Sequence, residues 1–315
     1  MERYNRQFLE PGERFTAFAT AAAALLPVPY EGAVSWGRGT AGGPDALLEA
    51  SAHLEEYDET LGVEPHRMGI VTVAPPDLGP DPAAVEQAVF AAAAELAAAG
   101  KFPVLVGGDH SVSLGCFRAL QRHHGRLSVI QLDAHADLRE DYEGSRLSHA
   151  CIMARIRELT GDVLQLGIRS LSAAEAERIA REGWPVVTMA SLRSGDVDLE
   201  DRLARLPDPV YLTVDVDAFD WSVIRSTGTP EPGGFLWDEG IALLQRIFRT
   251  KSVAGFDVVE LSAEPEDRNS AFAAAKLVYR MLGMKLASEV ARGTIGWPRN
   301  PEGPLFQMSV PPHRQ

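Results

Sequence analysis

Leu127-Ser128-Val129-Ile130-Gln131-Leu132-Asp133-Ala134-His135-Ala136-Asp137 is the stretch from which the fold can be read. Leu127–Leu132 is a short, mostly apolar run of strand length. Such a run suits a strand covered on both faces. It stops at once in Asp133, His135 and Asp137, polar groups at every second position. The same grammar recurs along the chain. Phe102–Val106 ends in Gly107-Gly108-Asp109-His110-Ser111, Pro209–Val214 ends in Asp215-Val216-Asp217, and Val253–Val259 ends in Glu260. Gly69–Ala74 and Val163–Gly167 read as further strands. Helical patterns fill the intervals, over 45–59, 82–99, 111–123, 148–160, 173–182, 236–250 and 271–290. Strands alternating with helices imply right-handed crossovers and an α/β fold with a mostly parallel sheet. No linker, repeat or composition break divides the chain. The expectation is one domain over 1–315, with an N-terminal extension at 1–26, a core at 27–290 and a tail at 291–315.

Composition narrows the function. Thirty Lys+Arg against 44 Asp+Glu leave a net charge of −14, which argues against nucleic acid and anionic membrane as partners. The same field attracts small cations. Cys116 and Cys151 make neither a disulfide scaffold nor a thiolate zinc site. The apolar run Phe15–Leu26 follows mixed charges, and no A-x-A site precedes Pro27. The alanine-rich stretch 82–99 is too short to span a bilayer. The expectation is therefore a cytoplasmic protein. Gly107-Gly108 is not followed by Gly-Lys-Ser/Thr, Gly37-Arg38-Gly39 lacks a third glycine at dinucleotide spacing, and no G-x-S-x-G elbow occurs.

The polar strand ends carry the chemistry. In an open parallel sheet, ligands bind beyond the C-terminal ends of the strands. In extended chain, residues i, i+2 and i+4 share a face, so Asp133, His135 and Asp137 are expected to converge, as are Asp215 and Asp217. Taken singly, each motif reads as a turn or a cap; Asp109 and Ser111, for example, are good helix caps. Together, with His110, they assemble two imidazoles and four carboxylates at one place. These would repel one another without cations. The donors are hard and mixed N/O, with no thiolate. They suit two Mn²⁺ over zinc or copper, with Co²⁺, Ni²⁺ or Fe²⁺ as the alternatives.

GGDHS, DAHAD, DVD with TGTPEPGG downstream, and DVVE resemble, in this order, the ureohydrolase superfamily of arginase and agmatinase. The resemblance runs from about Pro27 to about Gly283. VPYEG, GTAGGP and DAHADLREDYEG are closer to its agmatinase-like branch. The resemblance implies a three-layer α/β/α domain, arginase-like, that hydrolyses a guanidino group to urea and an amine in polyamine biosynthesis. It implies that Asp133 and Asp215 bridge two metal ions. His110 and Asp137 would complete one ion, His135 and Asp217 the other. Asp137 would also relay a proton to the leaving amine. Glu260 would hold the guanidinium, and His149 would act as proton shuttle or substrate contact. Thr229, in TGTPEPGG, would be a binding residue beside the metals. His53, His66, His123 and His124 match no motif position and read as structural. Family members are commonly trimers or hexamers, so a homo-oligomer is expected.

The expected substrate is agmatine, yielding putrescine. The alternatives are N1-aminopropylagmatine, yielding spermidine, or another guanidino or formimino compound. Three departures from the family pattern bear on this choice: Asp220-Trp221, Ile224-Arg225-Ser226 and His149-Ala150-Cys151. All three are expected to lie beside the substrate's tail. Ser-His-Ala-Cys resembles a branch that includes N1-aminopropylagmatine hydrolases. Glu140, Asp141 and Glu143 are expected to receive a cationic tail, with Arg139 pairing to Glu140 or Asp141. A deacetylase-like amidase and a non-catalytic binding protein are the competing classes. The complete ligand set speaks against both.

Overall fold

The computed structural model describes residues 1–294 and Gly296. Its centre is one eight-stranded sheet in the order β2-β1-β3-β8-β7-β4-β5-β6. The strands are β1 (Ala23–Val28), β2 (Ile70–Thr72), β3 (Phe102–Gly107), β4 (Ser128–Leu132), β5 (Val163–Ile168), β6 (Val186–Thr188), β7 (Val210–Asp215) and β8 (Val253–Val259). Every neighbouring pair is parallel.

The helices are α1 (Glu13–Thr16), α2 (Gly43–Ser51), α3 (Pro82–Ala98), α4 (Ser113–His124), α5 (Ile152–Arg157), α6 (Ala173–Glu182), α7 (Met189–Ser194), α8 (Leu199–Arg205), α9 (Trp237–Thr250) and α10 (Arg268–Ala291). Successive strand residues feed opposite cores, as the two-residue period of a strand requires. Ala23 and Leu25 join a core under α2, α8, α9 and α10. Ala24 and Leu26 join a second core under α3, α4 and α5. The result is the expected three-layer α/β/α domain.

Local chemistry sets the helix ends. Asp81 caps α3 by accepting from the Ala83 and Ala84 amides at 3.0 and 2.9 Å, with Pro82 at the first turn. Ser172 and Glu175 form a reciprocal capping box at α6. Asp267 caps α10.

Two features depart from the sequence expectation. The boundary placed at residue 27 falls inside β1, which lies between β2 and β3 with all its residues buried. The supposed extension also buries Phe8 completely. The apolar run ending at Leu26 is therefore sheet. β6 was not foreseen, because Val186–Thr188 is a three-residue edge strand. The expected tail at 291–315 lies mostly outside the described residues. None of the described helices is long and apolar enough to cross a membrane.

Candidate active site

The four central strands, β3, β8, β7 and β4, deliver His110, Glu260, the pair Asp215 and Asp217, and the trio Asp133, His135 and Asp137 to one edge. The sheet grows outward in both directions from the two strands that close its middle. That is the crevice where open α/β sheets bind ligands.

The convergence is real, but extended chain is not what produces it. Asp215 ends β7, and Asp217 lies in a 3₁₀ turn, Val216–Ala218. Asp137 has a φ of 52°. Each strand is turned by its own carboxylate instead. Asp133 Oδ1 accepts from the His135 amide at 2.6 Å, and Asp215 Oδ1 from the Asp217 amide at 2.8 Å. Asp109 Oδ1 accepts from the Ser111 amide at 3.0 Å. An aspartate bonded to the amide two residues on makes a compact turn. The second oxygens of Asp133 and Asp215 face the cluster, 3.2 and 3.5 Å from His110 Nδ1, and that of Asp133 also accepts from Gln131.

Asp137 and Glu260 (φ of 66°) both hold the left-handed conformation. For residues with a Cβ this costs of order 1–3 kcal/mol and is found where surrounding structure enforces it. Gly108 is needed for a different reason. A Cβ there would lie 1.8 Å from the Tyr30 carbonyl oxygen, so only glycine lets the His110 turn pack against the chain after β1.

Two three-residue groups emerge, His110–Asp133–Asp215 and Asp133–His135–Asp217, each with ligand atoms within 4.8 Å of one another. They share Asp133. His110 Nδ1 lies 3.2 Å from Asp133 Oδ2, 3.1 Å from Asp137 Oδ2 and 3.5 Å from Asp215 Oδ2. His135 Nδ1 lies 2.9 Å from Asp217 Oδ2 and 3.7 Å from Asp133 Oδ1. His110, Asp133, Asp215 and Asp217 are buried.

The electrostatics point the same way. Burial, then repulsion from Asp137 and Asp217, pushes the Asp133 carboxyl up to about 8. Burial, then Asp217 and Asp133, lifts Asp215 well above the carboxylate range. Burial works against a charged His110, but Asp133, Asp137 and Asp215 outweigh it and raise that imidazole well above its usual range. His135 rises to about 11, because Asp217, Asp133 and Asp137 overcome its burial. The protein's own charges thus create a point that demands positive charge.

The donor set fits a pair of divalent ions. Among the described residues, His110 Nδ1 and Asp217 Oδ2 are buried with close ionic neighbours but no partner in hydrogen-bond geometry. A buried polar atom left alone is costly, and a cation between such atoms removes the cost. Two imidazoles and four carboxylates without sulfur match hard or borderline metals.

A cavity of about 310 Å³ opens over the cluster, lined among others by Ser35, Asp137, His149, Glu175, Thr229 and Glu260. All the site residues expected from the sequence therefore meet at this cavity or beneath it. Glu260 Oε1 accepts from the His110 amide at 2.7 Å. Burial, followed by Asp109, raises its carboxyl well above the usual range. His149 Nε2 lies 3.0 Å from Ser35 Oγ, which donates at 3.0 Å to the Tyr142 hydroxyl.

Several expectations about the substrate tail are corrected. Only one of the three departures, Ala150, lines the cavity. Trp221 is 55% exposed and Ile224 is in the core. Arg225 and Ser226 hold Asp267 at 3.2 and 2.7 Å. Glu140 pairs with Arg146, Arg155 and Arg178 and does not line the cavity. Arg139 pairs with neither Glu140 nor Asp141; it faces the cavity and lies 5.3 Å over the Tyr142 ring.

Other supporting residues were not foreseen. Gln131 donates to Asp133 Oδ2 at 2.7 Å, and Gln165 donates to Gln131 Oε1 at 2.6 Å. Arg169 ties the Asp217 carbonyl to the Glu231 carbonyl, fixing the TGTPEPGG loop beside the cluster. The available signal was a polar residue amid a buried strand.

Comparison with known proteins agrees with this geometry. Residues 21–283 match the arginase family. An N(1)-aminopropylagmatine ureohydrolase from Synechocystis sp. is 39% identical over 286 residues, covering 88% of this chain and 93% of its own. The agmatinase of Pyrococcus horikoshii is 32% identical and covers 82% of this chain and 90% of its own. The crystal structure of the agmatine ureohydrolase of Thermoplasma volcanium superposes with a TM-score of 0.82 at 25% identity, over 92% of this chain and 97% of that one. Sequence, fold and the clustered strand ends thus lead to one conclusion: this chain belongs to the arginase family.

Proposed function

We propose that the chain is a dinuclear manganese ureohydrolase that cleaves a guanidino substrate without an α-carboxylate, releasing urea and an amine. The observation that carries this reading is the pair of His–carboxylate groups sharing Asp133, with Glu260 beside them on the cavity floor. His110, Asp133, His135, Asp137, Asp215 and Asp217 would hold the ions. Bound ions would supply a water acidic enough to ionise near neutral pH.

The protein's own groups do the rest. Glu260 receives the planar guanidinium through two parallel hydrogen bonds and so fixes the position of its carbon. Asp137 takes a proton from the water that adds to the guanidinium carbon and passes it to the leaving nitrogen; the C–N bond then breaks, giving urea and an amine that departs as an ammonium. His149, held by Ser35 on the cavity wall, is placed to exchange protons with the mouth of the cavity.

Agmatine, giving putrescine, is the simplest substrate of this class. N1-aminopropylagmatine, giving spermidine, is favoured by a separate observation, the 39% identity to a relative of that name. Both place the protein in polyamine synthesis.

Urea release from agmatine, N1-aminopropylagmatine, arginine and guanidinobutyrate, with manganese-loaded protein, tests the reading. The two decarboxylated amines should be turned over in preference to the two carboxylates. A preference for arginine or guanidinobutyrate would overturn the substrate class.

A further inference from the structure

Asp257 sits in the middle of β8, fully buried. It opens the DVVE motif but is not among the expected metal or substrate residues, and it does not line the cavity. A buried carboxylate needs full hydrogen bonding to be tolerated. Its Oδ1 accepts from the Thr213 hydroxyl at 2.6 Å and the Val214 amide at 3.2 Å, and its Oδ2 accepts from the Tyr211 hydroxyl at 2.5 Å. None of these partners is a cation.

Thr213 carries the argument onward. A hydroxyl has one proton and can accept elsewhere. Thr213 gives its proton to Asp257, so toward His110 it can only accept. His110 Nε2 lies 2.9 Å from Thr213 Oγ1. The proton must therefore stand on Nε2. The lone pair of the neutral ring then falls on Nδ1, the atom that faces Asp133, Asp137 and Asp215. Both β7 and β8 contribute, and they are register neighbours, with Thr213 paired to Asp257.

We propose that Thr213 and Asp257 form a buried positioning relay that fixes the ring orientation and tautomer of His110, so that Nδ1 is presented to the ion it shares with Asp137. This rests on the metal centre proposed above. Outer-shell partners of this kind typically contribute 10- to 100-fold in metal affinity. Among the described residues His135 has no equivalent. Its Nε2 is 3.9 Å from Glu231, and its side chain is 24% exposed. The relay therefore acts on one ion of the two.

The test uses Mn²⁺ and Co²⁺ themselves. Metal affinities are measured by competition with a chromophoric chelator on the purified full chain and on Thr213→Val and Thr213→Ser. Thr213→Val should weaken one of the two ions by roughly 10- to 100-fold and leave the other near the parental value. Thr213→Ser, which keeps the hydroxyl, should restore it. Equal affinities in Thr213→Val and parent would overturn the relay while leaving the metal centre intact. A parental protein that binds no ion would remove both.

Should Thr213→Val fail to fold, the parental protein still decides. In its Co²⁺-loaded form, a slowly exchanging, paramagnetically shifted imidazole N–H resonance is expected from the buried His110. The absence of that resonance would refute a proton on Nε2.

Discussion

Replacing Glu260 by glutamine exchanges one oxygen for an amide nitrogen on the cavity floor and leaves the backbone unchanged. The His110 amide donates to Glu260 Oε1 at 2.7 Å, and a glutamine carbonyl can accept that bond equally. What is lost is the charge and the second acceptor facing a guanidinium. In their place stands an NH₂ that opposes the substrate's own donors. Hydrogen bonds to charged groups contribute about 1.5–3 kcal/mol each, so losing two charge-assisted bonds, partly replaced, leaves a deficit of about 3–4 kcal/mol. That corresponds to roughly a hundred- to thousand-fold lower kcat/KM. The assay is steady-state urea release, with metal content measured on the same preparation. Metal should stay at the parental level while turnover collapses. Parental kcat/KM would refute the substrate-holding role of Glu260. Loss of ions together with activity would show that the residue acts through His110 instead.

Asp215→Asn removes one of the carboxylates at the heart of the cluster, so ion content and activity should fall together in parallel metal analysis and urea assays. Chelation should abolish activity and Mn²⁺ should restore it. By linkage, ion at a hundred times its dissociation constant adds about 2.7 kcal/mol, which calorimetry should read as a rise in melting temperature of roughly 4 °C for a chain of this length. Asp267 has a pH signature. Burial opposes its charge, but Ser226, Ser270 and Arg225 hold its carboxyl down at about 2, against an ordinary 3.8. A depressed folded value means stabilisation that is complete above about pH 4 and is lost as pH falls toward 2. Asp267→Ala should therefore cost about 1–2 kcal/mol at pH 7, as lost helix caps do. In denaturant melts the gap to the parent should close between pH 4 and pH 2; a gap that persists unchanged at pH 2 would contradict the assignment.

The ligand set was legible because each donor follows a strand of apolar residues, and polar groups at that edge of a parallel sheet have few purely structural uses. DAHAD and DVD could be placed without coordinates, although the reason given for their convergence was wrong. Turns made by Asp133 and Asp215 do the folding back, and an extended-chain argument cannot see a φ of 52° at Asp137. β1 escaped because Ala23–Val28 continues an apolar run that also has leader-like length. The side chains around the substrate tail were not legible, because charge in a sequence does not show which acids are already paired. Glu140 is acidic in sequence but is neutralised by three arginines distributed over Arg146, Arg155 and Arg178. Thr213 and Asp257 were invisible as a pair, since nothing in spacing tells that residues 44 apart lie side by side on neighbouring strands.

The order in which the sheet is filled has a consequence for biogenesis. β1 to β3 form one flank and β4 to β6 the other, and the two are joined only by β7 and β8, which come last in the chain. A ribosome-bound chain that has emerged only through β6 holds two half-sheets whose inner edges must stand about 14 Å apart, three interstrand spacings of roughly 4.8 Å. Both edges are unpaired and apolar, which makes this the stage most exposed to misassociation. His110 and the DAHAD segment face one another across that gap with no Asp215 between them. Asp215, Asp217 and Glu260 thus join the cluster only with the last two strands of the sheet.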